Sequence, residues 1–223
     1  MYNARYSSKK KSLKDNEVEG INGIWALLEK AKRDEEISSD AIFIRECRVH
    51  PDFLAILATN RQLDDLKRFC TNPKDFCIFG VDPTFNIFEE NISLTVTTYR
   101  NLKLHNKTTN TPRVFIGPLL MHQHKDWKTY ARFGNFLTTE CSELEGLLAC
   151  GTDGEKALID RLKRNFRLAL FLRCFAHFRD NLRRELKKRG LPTNAIEDFI
   201  AEIFGKQQGT TLYKGLVDCN SKE

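Results

Sequence analysis

Residues 76–85, FCIFGVDPTF, form an apolar run that stops on an acid, Asp82. A short apolar run closed by a turn signal predicts a strand buried on both faces. Residues 147–155, LLACGTDGE, repeat that form: the run ends at Gly151, Thr152 and Asp153 and opens into a helical pattern. If both strands belong to one sheet, Asp82 and Asp153 lie at strand ends, where loops present reactive groups on a rigid scaffold.

The remaining pattern fills in around these two stretches. Ile21, Ile24, Trp25, Leu27 and Leu28 predict an amphipathic helix over residues 21–36. Residues 41–49 and 53–59 read as strands joined at the His50-Pro51 turn, and Asn60 as the cap of a helix carrying Leu63, Leu66 and Phe69. Residues 91–99 alternate, with Ile92, Leu94 and Val96 on one face and Ser93, Thr95 and Thr97 on the other, predicting a half-exposed antiparallel strand. A polar loop over 101–112 precedes a third strand at 113–121, whose Pro118 argues for an end or an edge. Trp127, Tyr130, Phe133, Phe136 and Leu137 fall at helical spacing in 125–140, a core-packing pattern. After the Asp153 strand come a helix at 155–166, an apolar run at 168–175, a basic helix at 178–189 stopped by Gly190, Leu191 and Pro192, a helical segment at 193–204 and a polar tail. Three strands with hairpin links followed by alternation predict an α/β fold, a mixed five-stranded sheet with helices on both faces, a small N-terminal strand and helix extension and a C-terminal helical segment.

Composition narrows the function classes. The 223 residues suffice for one main domain, and 41% hydrophobic with 30% charged residues is ordinary for a soluble globular protein. No apolar window approaches a membrane span, and the first 20 residues lack the hydrophobic core of a signal peptide. Seven cysteines scattered through apolar runs read as buried thiols in a reducing compartment. The net charge of +6 is concentrated: residues 161–189 hold eleven Lys and Arg against two acids, Asp180 and Glu185, the footprint expected for a phosphate backbone or, more plainly, a solvated helix face. Residues 1–20, with Lys9, Lys10 and Lys11 in a row, read as a mobile basic arm.

Five local stretches bear a resemblance: VDPTFN at 81–86, TTYRN at 97–101, IGPLLMHQHKDWKTY at 116–130, GTDGEKAL at 151–158 and RCFAH at 173–177. In this order the chain resembles the Mutator-like element (MULE) transposase domain, a ribonuclease-H-like fold. The resemblance covers roughly half the chain, and ATNRQLDDLKRFC at 58–70 is similar to the segment preceding that domain. It implies a core at residues 73–190, preceded by an extension at 21–72 and followed at 191–223 by the start of a helical insertion or a truncated C-terminus. It further implies a DDE-type DNA transposase performing metal-dependent phosphodiester hydrolysis and strand transfer. Asp82 and Asp153 would be the first two catalytic, metal-binding carboxylates, and the cofactor Mg²⁺ or Mn²⁺. Transposon ends and target DNA would be the partners, with a homo-oligomer in keeping with them, no membrane, and a nuclear location.

The third acid of the family, a glutamate on a later helix, has no assigned counterpart among Asp180, Glu185, Glu197, Asp198 and Glu202, so the alternative is an inactive DNA- or protein-binding remnant. Arg173, Arg179, Arg183, Arg184, Lys187 and Lys188 would form the DNA-binding surface. Cys174 and His177 match a CxxH motif of the family. With Cys47 and His50 they have the spacing of a zinc site, although zinc is not expected. His122 and His124 flank a loop able to approach DNA or are ordinary surface residues. Alone, Asp82 also reads as a turn acid before Pro83, and Asp153 as a helix N-cap. A haloacid-dehalogenase-type phosphohydrolase is disfavoured because its second aspartate would fall at Thr84.

Overall fold

A computed structural model describes residues 42–84, 91–208 and 211–218, and the helical positions Ala26, Glu29 and Arg33. The rest of the helix expected at 21–36, the basic arm and Phe85 lie outside the described residues. The chain divides into two compact units, Met1–Leu172 and Arg173–Glu223. That division falls ahead of the basic helix, which the resemblance groups with the sheet in a core at 73–190.

The larger unit is built on strands β1 (Ile44–Arg48), β2 (Leu54–Leu57), β3 (Phe79–Thr84), β4 (Ser93–His105), β5 (Pro112–His122), β6 (Ala149–Thr152) and β7 (Leu170–Arg173). They form one mixed seven-stranded sheet in the order β1-β2-β5-β4-β3-β6-β7. The expected five strands are all present. The two extra ones come from the N-terminal extension: β2, buried at all four positions, pairs antiparallel with β5 and covers what would otherwise be an open edge. β3 runs antiparallel to β4 and parallel to β6.

Helices α1 (Asn60–Cys70), α2 (Trp127–Glu140) and α3 (Lys156–Asn165) place Leu63, Leu66, Tyr130, Phe133, Leu158 and Leu162 in one cluster with Phe79, Val81 and Leu120 of the sheet. The three helices of this unit therefore lie together on one face, where the sequence pattern alone predicts helices on both. The α1 cap is Thr59 and not Asn60: its hydroxyl accepts from Gln62 N–H, and Gln62 Oε1 accepts from Thr59 N–H at 2.8 Å, a reciprocal capping box. The six described cysteines are free thiols.

Strand β4 inverts its expected polarity. Ser93, Thr95 and Thr97 are the buried positions, while Leu94 and Val96 are half-buried on the other face. The hydroxyls are satisfied locally: Thr97 Oγ1 donates to the Pro118 carbonyl at 2.6 Å, and Thr95 Oγ1 lies 2.9 Å from Nε2 of fully buried His122. The β4–β5 register shifts between Val96 and Thr98, and this bulge accommodates Pro118 inside a central strand, not at its end. The loop expected over 101–112 is shorter, because β4 continues to His105.

His122, expected at the surface, thus belongs to the core. Its Nδ1 lies 2.8 Å from the His124 carbonyl, so Nδ1 carries the proton and Nε2 accepts from Thr95. Burial lowers its pKa to about 4.

The smaller unit pairs α4 (Phe175–Lys188) with α5 (Thr193–Phe204), and Phe204 packs edge-on against Phe175 and Phe178. Gly190, at φ +80°, ends the first helix in the left-handed conformation. The expected polar tail forms a hairpin, β8 (Lys206–Gln208) with β9 (Thr211–Tyr213). Among the described residues no helix is long and apolar enough to cross a membrane.

Two stability predictions follow from the core. Phe133→Ala, at a fully buried position, should cost about 3–5 kcal/mol in urea unfolding. His122 has a folded pKa below its unfolded value, so its contribution is present above pH ~6.5 and lost as pH falls toward 4. His122→Gln should remove about 3 kcal/mol of the acid-induced loss measured between those pH values.

Candidate functional site

The β3–β6 ladder runs up to both predicted acids. Its parallel register pairs Phe79 with Cys150, Gly80 with Gly151 and Val81 with Thr152, and continued by one residue it sets Asp153 beside Asp82. Adjacent strands lie about 4.8 Å apart, and residues level in a parallel pair share a face. Val81 and Thr152 are buried on the helix-covered side, so the half-buried acids fall on the opposite face. Gly80 and Gly151 precede them there, leaving bare backbone beneath the pair. A Cβ at Gly151 would come 3.1 Å from Ile78 Cγ2, so the exposed Ile78 side chain would have to give by a few tenths of an ångström.

The turn after β6 fixes Asp153. Gly154 adopts φ +100°, and the next amide, Glu155 N–H, donates to Asp153 Oδ1 at 2.9 Å. Asp153 therefore caps a local turn, while Glu155 occupies the N-cap position of α3 without a side-chain cap bond. Glu155 reaches back across the unit instead: its Oε2 accepts from the hydroxyl of fully buried Tyr130 at 3.1 Å. Burial raises the Glu155 pKa, the Tyr130 bond opposes the rise, and the Asp153 charge adds to it. Burial and the neighbouring Glu155 charge push the Tyr130 hydroxyl well above its usual range. Sequence periodicity marks Tyr130 only as core, and Glu155 only as an acid near a helix start. Their pairing is a tertiary contact with no local signal beyond the acid two residues after Asp153.

Asp82 and Asp153 offer hard oxygen donors suited to a divalent ion that keeps several waters and needs only one or two protein carboxylates beside a substrate phosphate. The donor set fits Mg²⁺ or Mn²⁺. Among the described residues, no group of three or more His, Cys, Asp or Glu side chains is gathered for a metal. Cys174 stands at the N-cap of α4 with no side-chain cap bond.

The predicted DNA-binding cations belong to the smaller unit. Arg183 makes a two-pronged bond to Glu197, Nε to Oε1 and Nη2 to Oε2, both at 2.9 Å, and tethers α4 to α5. Lys188 pairs with Glu185 at 2.7 Å, Arg184 bonds Asn181, and the Arg173 guanidinium lies over the Phe178 ring at 5.7 Å. Arg179 lies 3.8 Å from Asp180, and Lys187 is exposed.

Beyond the geometry, no family model matches the chain, and no curated protein matches it.

Tyr130→Phe tests the contact that holds the turn. Removing the hydroxyl that favours the ionised carboxylate should raise the Glu155 titration midpoint further, read by carboxyl-carbon NMR, and cost about 1 kcal/mol of stability.

Proposed function

We propose that the larger unit is the catalytic core of a DDE-type DNA transposase, a ribonuclease-H-like domain cleaving phosphodiester bonds with a divalent metal. The observation that carries this reading is the β3–β6 register, which, continued by one residue, would make Asp82 and Asp153 neighbours on one face. The central five strands support it as well. β3, β4 and β5 form an antiparallel meander, and β6 and β7 are added on the other side of β3, so successive connections leave β3 in opposite directions. Ligands in open α/β sheets bind outside the strand ends where that reversal occurs.

In this reading Asp82 and Asp153 hold the cation, and Asp153 contributes the oxygen its turn leaves uncommitted. A bound divalent ion would supply Lewis-acid polarisation of the phosphate and a water acidified for attack. Glu155 and Tyr130 act as positioning residues, holding the turn that carries Asp153. Buried neighbours, Phe79, Val81 and Cys150, set the register that would keep the acids close against their mutual repulsion.

A second reading rests on a different observation: no third carboxylate joins the pair in a metal-holding group among the described residues. It makes the chain a remnant that binds DNA without cutting it. Incubating supercoiled plasmid with Mg²⁺ or Mn²⁺ separates the two. The catalytic reading expects nicking that falls at least 100-fold in Asp82→Asn and Asp153→Asn, about 3 kcal/mol of barrier. Salt-sensitive DNA binding with no product from the wild-type chain would leave the remnant.

A further inference from the structure

A cavity of about 440 Å³ opens in the larger unit between the β1–β2 turn and the start of α2. It lies at the acid-bearing end of the sheet. Leu54 at the start of β2 pairs with His122 at the end of β5, His122 pairs with Ser93 at the start of β4, and Leu94 pairs with Thr84 at the end of β3. At about 4.8 Å per strand, the cavity is on the order of 10–20 Å from Asp82. Helix α2 links the two places, since Trp127 lines the cavity and Tyr130, one turn on, bonds Glu155.

The wall carries charges of both signs, Arg48, Lys128 and Arg132 beside Asp52 and Asp126. Asp52 is engaged by His124, Oδ1 to Nε2 at 3.0 Å, and Asp126 Oδ1 accepts from Thr129 N–H at 2.8 Å. Arg132 is paired with Glu46. Arg48 and Lys128 have no ion pair among the described residues, and Arg48 Nε is buried without a hydrogen-bond partner. A partly buried guanidinium without an anion favours a ligand that supplies one. Beside these cations Trp127 is 52% exposed, with the Arg161 guanidinium 4.4 Å from its ring centroid and the Lys128 ammonium at 5.8 Å. An exposed aromatic ring beside cations that make no ion pair is the pairing by which proteins hold single strands, a base stacking while its phosphate is neutralised. The volume suits a small ligand, not a duplex.

We propose that this cavity is a single-strand subsite that takes one unpaired nucleotide of DNA, its base against Trp127 and its phosphate on Arg48 and Lys128. The identification of the strand as DNA rests on the reading of the chain as a transposase core.

The test is fluorescence anisotropy of a labelled 12-nucleotide single-stranded DNA with the full chain, in EDTA, across 50–200 mM NaCl. Trp127→Ala should weaken binding about tenfold or more, while Trp127→Phe keeps most of the affinity. Lys128→Ala should lower the salt slope by about 0.7. A hairpin duplex should be insensitive to Trp127→Ala. Unchanged single-strand affinity in Trp127→Ala, equal weakening on the duplex, or no single-strand binding by the wild type would each overturn the subsite. Trp127→Phe and Lys128→Ala decide the matter if Trp127→Ala melts early. Because the assay contains no divalent ion, Trp127-dependent binding without plasmid nicking would remove the catalytic reading and keep the subsite. Nicking without Trp127-dependent binding would do the reverse.

Discussion

The parallel ladder between β3 and β6 is the constraint on which the site depends. Two carboxylates one strand apart repel when no cation lies between them. Side-chain flexibility would relieve that repulsion, so the arrangement persists only if the backbone beneath cannot slip. A slip of one residue would turn Phe79, Val81 and Cys150 out of the core and the acids into it. Burial of apolar groups on one face thereby fixes the spacing of charges on the other. The Gly154 turn adds a second restraint, since the Glu155 amide holds Asp153 in a single orientation.

The interior of the same sheet is less apolar than an α/β core usually is. Thr95, Thr97 and His122 are fully buried, and each has its polar atom matched by a neighbour. Buried hydroxyls add little net stability when satisfied and cost much when orphaned. They therefore act mainly on register: a shifted β4 would bury Leu94 and Val96 easily but would leave Thr95 and His122 without partners. The sharp fall of the His122 pKa is the electrostatic trace of that arrangement.

Element types were largely legible in the sequence. The α5 boundaries Thr193 and Phe204 and the positions of α2, α3, β6 and β7 follow from periodicity and breakers within a few residues. The side-by-side pairing of β3 and β6 was legible as an expectation, because an apolar run ending on an acid has the same form at both places. The polarity of β4 was not. Alternation marks two faces but cannot say which is buried, and threonines whose partners arrive from β5 twenty residues on look like solvent positions. The joining of β1 and β2 to the same sheet was hidden for a similar reason, since edge pairing is a tertiary event. Glu155 and Tyr130 are separated by 25 residues and have no local mark at all.

Charge was the property that sequence counting described least well. Residues 161–189 carry the densest run of cations, and the count invites a nucleic-acid surface there. In the smaller unit those groups are largely committed: Arg183 to Glu197, Lys188 to Glu185, Arg184 to Asn181 and Arg173 to a ring face. Such pairings leave the net charge in place, but they occupy the donors that would grip a phosphate with directed bonds. The segments around Arg48 and Lys128 draw no attention by count, yet those two cations make no ion pair among the described residues, and one has a buried nitrogen unmatched. Long-range attraction scales with net charge, whereas specific grip scales with donors left over after folding. By that distinction, in the proposed reading, the smaller unit would steer a polyanion toward the protein, and the wall beside Trp127 would be the better place to hold one.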